Sequence, residues 1–205
     1  MSCFISREAG RLAPYTPGEQ PQDQQYIKLN TNESPFPPTP AVVKAVSGAE
    51  ASKLHLYSDP TCGVLHRAIA DYYGLVVENV LAGNGSDEVL SFAFRAFCGE
   101  GRGAAYADIT YGFYKVWARF YGLEGREIPL RQDFSLNVED YMDFPGTIFI
   151  ANPNAPTGMA LPRTEIQSLL EADPTRVVVV DEAYVDFGAE SCVPPTSQSR
   201  TPQVH

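Results

Sequence analysis

The stretch VVVVDEAYVDFG, residues 177–188, runs from four consecutive valines into two carboxylates, Asp181 and Glu182. Such a valine run reads as a strand covered on both faces, and an acid at its mouth is costly unless paired. Asp181 therefore caps the next segment, joins a structural ion pair, or meets a ligand such as a heterocycle with a protonated nitrogen. Three other stretches carry chemistry. AGNGSDEVL, from Ala82, passes through Gly83 and Gly85 into a helix beginning near Ser86. A helix start of this kind offers free N–H groups and a positive dipole end to a phosphate, and reads equally as a capped turn. Nucleotide fingerprints fail there: G-x-x-x-x-G-K-[ST] is missing, and Glu88 stands where the third glycine of G-x-G-x-x-G would be. In DITYGFYKV, Tyr111 sits between a strand and an aromatic helix, placed either to stack on a planar ligand or to fill a core. ANPNAPTG, residues 151–158, supplies asparagines with donors and acceptors and equally describes a rigid turn.

The elements that must position these loops follow from the apolar pattern. Residues 1–40 are rich in Pro, Gln and Thr and read as an irregular arm. TPAVVKAVSGAE offers Thr39 as N-cap, Pro40 as first helical residue and Val42, Val43 and Val46 as an apolar face. VLHRAIADYYG repeats the logic with Leu65, Ile69 and Tyr72, and Gly74 as the stop. NVLAG reads as a short strand. SDEVLSFAFRAFC reads as a helix with Val89, Leu90, Ala93, Phe94 and Phe97 inward. GAAYAD and REIPL read as strands flanking the helix YGFYKVWARFYG, with Phe113, Val116, Trp117 and Phe120 inward. GTIFIAN and RVVVVDE are continuous apolar runs on either side of a helix around RTEIQSLLEA. Strand and helix alternating in this cadence predict an α/β layered fold with right-handed crossovers. In such folds ligands bind beyond the carboxyl ends of the strands, so GNGSDE, DITYG, ANPNAPTG and DEAY are expected on one rim.

Composition narrows the partner. At 205 residues and 44% hydrophobic content the chain has enough apolar material for a core, and its net charge of −10 argues against nucleic acid. A small molecule is the better expectation. Cys3, Cys62, Cys98 and Cys192 are far apart, and His55, His66 and His205 show no metal-ligand spacing, so no metal is expected. The N-terminus has no apolar signal region and no stretch is long enough to span a bilayer, which points to the cytoplasm and no membrane partner.

Taken together, PYTPGEQP, KLNTNESPFPP, LYSDP, LAGNGSDEVL, DITYGFYKV, ANPNAPTG and VVVVDEAYVDFG, in this order, resemble the fold-type I, pyridoxal-phosphate-dependent aminotransferases, the histidinol-phosphate aminotransferases most closely. The resemblance implies a three-layer α/β/α large domain, incomplete at its C-terminus and occupying residues 41–192, after the arm at 1–40 and before an aberrant tail at 193–205. It implies pyridoxal 5'-phosphate as cofactor. Gly85, Ser86 and Asp87 would cradle its phosphate, Tyr111 would stack on its ring, Asp181 would pair with its pyridinium nitrogen, and Tyr184 would bind its phenolate oxygen. Tyr57 would reach a partner subunit's cofactor phosphate in a homodimer, and Asn32 and Glu33 would border the substrate.

Three departures stand out. Where the family has the asparagine directly before the proline of NNPTG, this chain has Ala155, and Asn154 is the nearest substitute. Ile109 replaces the proline of DPTYG, which is expected to loosen that turn. The family's cofactor-binding lysine follows DEAY by some thirty residues, whereas Lys28, Lys44, Lys53 and Lys115 all precede it, so no catalytic residue is assigned. The implied reaction is transamination between histidinol phosphate and 2-oxoglutarate. Alternatives are another aminotransferase or a decarboxylase of this fold acting on a phosphorylated or aromatic amino compound, or a truncated, non-catalytic remnant. In the family's sheet the strand at NVLAG pairs with strands formed later in the chain, which leaves it without its usual neighbours here.

Overall fold

The computed structural model describes residues 5–13, 19, 23, 27, 29–34, 36–48, 51–99 and 101–193. They fall into two compact units, one within Met1–Leu12 and Val64–His205, the other within Ala13–Gly63. The elements are α1 (Pro40–Val46), α2 (Gly63–Tyr73), α3 (Ser86–Phe97), β1 (Ala104–Ala107), α4 (Phe113–Phe120), β2 (Gly125–Ile128), β3 (Thr147–Ala151), α5 (Arg163–Ala172) and β4 (Val178–Asp181), with short 3-10 turns between them.

The larger unit is built on a four-stranded sheet in the order β2-β1-β3-β4, every neighbouring pair parallel. The period-2 geometry of strands explains why continuous apolar runs were needed: successive side chains enter opposite cores. Ala105, Ile128, Ile148, Ile150, Val178 and Val180 pack with Ile166 and Leu169 of α5 and with Tyr141. Ala104, Tyr106, Phe149, Ala151 and Val179 pack with Leu90, Ala93 and Phe94 of α3 and with Tyr114 and Ala118 of α4. Helices thus cover both faces, giving the expected α/β/α layering. Phe94 stacks on Phe149 at 3.9 Å between ring centroids, which locks α3 to the centre of the sheet.

A buried cation fixes the amino end of the sheet. Arg176, two residues before β4, donates from Nη1 to the carbonyls of Tyr141 (3.3 Å), Met142 (2.7 Å) and Phe144 (3.2 Å), and from Nη2 to that of Leu169 (2.9 Å). One planar guanidinium therefore ties the approaches to β3 and β4 to the last turns of α5.

Several expectations change. NVLAG forms no strand: Val77–Asn79 is a 3-10 turn and Leu81 is left exposed. Backbone groups become a strand only against a neighbour's ladder, and no sheet pairing reaches these residues. Helix α4 also faces differently. Its buried residues are Tyr114 and Ala118, while Phe113, Val116, Trp117 and Phe120 are half-buried. A tyrosine is tolerated there because its hydroxyl finds a partner inside. In α2 only Ala70 is buried, and Leu65 and Tyr72 of the expected apolar stripe are exposed. Gly74 does end α2, at φ +66°, with Leu75 donating to Ala70 O. In the smaller unit Thr39 caps α1 through Val42 N and Pro40 opens it as expected, but Val42, Val43 and Val46 are exposed.

Candidate functional site

Strand register places the loops. Ala151 of β3 lies opposite Asp181 of β4, and Ala104 of β1 opposite Thr147 of β3. The carboxyl ends of β1, β3 and β4 therefore share one rim, and Asp108–Tyr111, Asn152–Asn154 and Asp181–Tyr184 leave from it. The start of α3 joins them through a hydrogen bond: Tyr111 Oη donates to Asp87 Oδ1 at 2.7 Å.

At α3 the chain turns through Gly85 at φ +85°, a conformation that L side chains rarely adopt. With glycine as N-cap, no side chain caps the helix. Glu88 instead reaches back one turn, accepting from Asn84 N at 2.7 Å and Asn84 Nδ2 at 3.1 Å through Oε2. Gly83 makes room for that reach, since a Cβ there would lie 3.0 Å from both Glu88 Oε2 and Val89 Cγ2. The result is an exposed helix start at Ser86 whose amide ends are bare of side-chain caps, with Asp87 committed to Tyr111.

Asp181 is half-buried and held at both oxygens. Oδ2 accepts from Tyr114 Oη at 3.0 Å, and Oδ1 from Ala183 N at 3.1 Å. Tyr114 is fully buried between the aromatic rings of Tyr106, Phe94 and Phe149. Burial first, then the charge and hydrogen bond of Asp181, push its hydroxyl well above the usual phenol range, so it stays a proton donor. The Tyr111 hydroxyl is raised for similar reasons, burial leading, then the bond to Asp87, with Asp181 and Tyr184 adding to it. The two rings meet edge to face at 5.8 Å. Asp87, Tyr111, Tyr114, Asp181 and Tyr184 thus make one neighbourhood.

Asn154 is a latch between two loops. It accepts from Thr110 Oγ1 (2.7 Å) and donates from Nδ2 to Ile109 O (2.9 Å) and Thr157 Oγ1 (3.1 Å). Both of its amide hydrogens are engaged, so offering one to a ligand requires exchanging a bond. Asn152, fully buried, clasps the main chain of Leu161 in both directions and closes the same loop. The turn at Ile109 is held rather than loosened, because Asp108 Oδ1 accepts from Ile109 N at 2.9 Å and from Leu130 N at 3.0 Å. Proline could not supply the first of these donors. Glu182, the second acid of the pair, accepts from Ser191 Oγ (2.7 Å) and Cys192 N (2.5 Å), folding the following segment back under the rim.

The sequence reading missed Tyr114 and Thr110. For Tyr114 the signal was spacing: it follows Tyr111 by three residues, in the first turn of α4, and its amide donates to Tyr111 O at 3.3 Å. The remaining expected residues, Asn32, Glu33 and Tyr57, belong to the smaller unit. Tyr57 is fully exposed, Asn32 has φ +54° in an exposed turn, and Glu33 Oε1 accepts from Thr31 Oγ1 at 3.3 Å.

Known proteins have this arrangement of sheet and loops. The sequence profile described as "Aminotransferase class I and II" matches residues 24–204. The chain belongs to that family. Over 195 residues it is 51% identical to a histidinol-phosphate aminotransferase of a Marinomonas species, and over 193 residues 48% identical to that of Clostridium acetobutylicum. In both comparisons 94% of the chain aligns to 55% of the relative, so the chain spans just over half the length of the relatives it matches. Among solved structures, the histidinol-phosphate aminotransferase of Sinorhizobium meliloti in complex with pyridoxal-5'-phosphate aligns at TM-score 0.72 and 25% identity, covering 80% of this chain and 46% of that one. A second, titled a putative histidinol-phosphate aminotransferase from Erwinia carotovora atroseptica, aligns at TM-score 0.70 and 23% identity, covering 84% and 51%, a likeness of fold. This family's cofactor is pyridoxal phosphate, and the residues on the rim fit it. A fixed carboxylate suits a protonated ring nitrogen, a half-buried aromatic suits a ring face, and an uncapped helix start suits a phosphate.

Proposed function

We propose that the chain is the cofactor-holding part of a pyridoxal-phosphate-dependent aminotransferase that moves the amino group of histidinol phosphate to 2-oxoglutarate. The observation that carries the cofactor reading is Asp181, held at both oxygens by neutral donors, Tyr114 Oη and Ala183 N. Among the described residues no cation pairs with it, so its charge is left for a cationic nitrogen on the ligand. The ring, once bound, supplies an electron sink for the amino-acid carbon. The chain's own residues position it. Tyr111 would offer a ring face whose tilt is set by Asp87, the amides after Gly85 would receive the phosphate, and Tyr184, within electrostatic range of Tyr111, would bind the ring's phenolate oxygen. Asn154 stiffens the turn at Ile109 and Thr110 that precedes Tyr111. Tyr57, fully exposed in the smaller unit, is open to a second copy, consistent with a homodimer. The organisation expected from sequence, an arm at 1–40, a partial large domain at 41–192 and a tail at 193–205, belongs to the same proposal, as does a cytoplasmic location; no helix among the described residues is long and apolar enough to cross a membrane. The substrate pair is supported by the names of the relatives at 51% and 48% identity.

Because Lys28, Lys44, Lys53 and Lys115 all precede DEAY, binding and turnover separate in this chain. Titration with pyridoxal phosphate and with pyridoxal, read from Trp117 fluorescence, tests the binding reading. Saturable binding of the phosphate ester, with pyridoxal about tenfold or more weaker, is the expected result, and equal affinities remove the phosphate cradle from the account. Glutamate formation from histidinol phosphate and 2-oxoglutarate is expected to be undetectable with this chain alone. Turnover by the purified chain would overturn that division.

A further inference from the structure

We infer that Tyr114 is a positioning residue for the cofactor's ring nitrogen, acting through Asp181: its hydroxyl fixes one carboxylate oxygen and keeps the proton shared by the carboxylate and the ring on the nitrogen. The inference rests on the reading of Asp181 as partner of that nitrogen. It starts from an oddity of packing. Tyr114 is fully buried among Tyr106, Phe94 and Phe149, where a phenylalanine would serve the core as well and carry no hydroxyl to satisfy. The hydroxyl donates to Asp181 Oδ2 at 3.0 Å, reached across 67 residues of sequence.

A donor to a carboxylate does two things. It removes rotational freedom, here together with Ala183 N on the other oxygen. It also draws electron density from the carboxylate, making it a weaker competitor for a proton. Both effects favour the same state, a proton on the ring nitrogen facing an oriented anion. Tyr114 is suited to this because a fully buried phenol cannot ionise readily and so does not add a second negative charge beside Asp181. Its position is set from two sides, by α4, whose first turn carries it, and by the T-shaped contact with Tyr111 at 5.8 Å. The ring that would stack on the cofactor and the hydroxyl that would tune its nitrogen are thus three residues apart, one just before α4 and one in its first turn.

The test uses the full chain with pyridoxal phosphate labelled with nitrogen-15 in the ring, whose resonance reports whether that nitrogen is protonated. Tyr114→Phe keeps the ring and removes the hydroxyl. Its bound cofactor should resonate between wild type and the unprotonated position given by Asp181→Ala, with affinity weakened about tenfold. Replacement of Tyr114 by 2,3-difluorotyrosine, a stronger donor of almost the same shape, should move the resonance the opposite way and guards against a folding defect in the first variant. A purely structural tyrosine would not give shifts of opposite sign. A wild-type resonance in Tyr114→Phe, with Asp181→Ala unprotonated, overturns the role of Tyr114 and leaves that of Asp181 standing. A wild-type resonance in Asp181→Ala overturns the reading of Asp181 itself, and the inference with it.

Discussion

Arg176→Met should be among the most damaging substitutions outside the rim, and the cost can be worked from its contacts. Arg176 is 7% exposed, and its guanidinium serves four carbonyls. Tyr141 O keeps the amide of Phe144 at 3.1 Å, so the loss centres on the carbonyls of Met142, Phe144 and Leu169. An unsatisfied buried polar group costs about 1–3 kcal/mol, which over three carbonyls gives roughly 3–9 kcal/mol. Two terms oppose it. Methionine recovers part of the packing, and removal of a buried charge relieves a desolvation penalty of several kcal/mol. A net loss of about 3 kcal/mol is expected, a large share of an ordinary domain's stability. Arg176→Lys should lose about 1–2 kcal/mol, since an ammonium reaches fewer of the acceptors at once. Urea unfolding followed by Trp117 fluorescence measures both. The internal control is Arg131→Met, which breaks a half-exposed pair with Asp140 at 2.9 Å and should cost no more than about 0.5 kcal/mol. If Arg176→Met and Arg131→Met unfold at the same urea concentration, the carbonyl cage does not hold the sheet's amino end and this reasoning fails.

Other consequences are as direct. Tyr111, Tyr114 and Tyr141 all have hydroxyls raised above the ordinary value of 10.0, burial being the first cause in each. Since the folded state holds these protons more tightly than the unfolded chain, their stabilisation is complete below pH 10.0 and declines as pH rises beyond it; urea midpoints should fall on the alkaline side, and less steeply in Tyr114→Phe. Gly85→Ala puts a side chain at φ +85° with nothing within 4 Å to clash, so backbone strain alone should cost about 1–2 kcal/mol, and phosphate-dependent cofactor affinity should fall with it. Among the described cysteines, Cys62 is exposed while Cys98 and Cys192 are buried, with the Cys192 thiol pushed up to about 12 by burial and then by Glu182. Peptide mapping after brief alkylation at neutral pH should find Cys62 modified well before the other two, and early modification of Cys192 would mean that the Glu182 clasp is open.

The layered fold was legible because continuous apolar runs can be satisfied only by strands covered on both faces, and GAAYAD, GTIFIAN and RVVVVDE all became such strands. The common rim was legible too, from the placement of polar, glycine-bearing loops after those runs. NVLAG was not, because its apolar character says nothing about whether a neighbouring ladder exists to receive it. The face of α4 was misjudged for a different reason. Hydrophobicity favoured Phe113, Val116, Trp117 and Phe120, whereas burial of Tyr114 depends on a carboxylate 67 residues away. Asn154 was expected to be a polar group near the ring, but its three bonds to Ile109, Thr110 and Thr157 depend on loop geometry that spacing does not encode. Asp87 likewise was expected beside the phosphate, and its link to Tyr111 became visible only once α3 and the β1 loop were brought together.

The central claim is that Asp181 binds a protonated ring nitrogen. It is tested most directly by comparing the affinities of pyridoxal phosphate and of its analogue with C–H in place of the ring nitrogen, for the wild-type chain and for Asp181→Ala. The account predicts a wild-type preference of about tenfold or more for the natural ring, the worth of a charge-assisted hydrogen bond, and near equality of the two ligands in the variant. Equal affinities in the wild-type chain, or a preference that survives in Asp181→Ala, would contradict it.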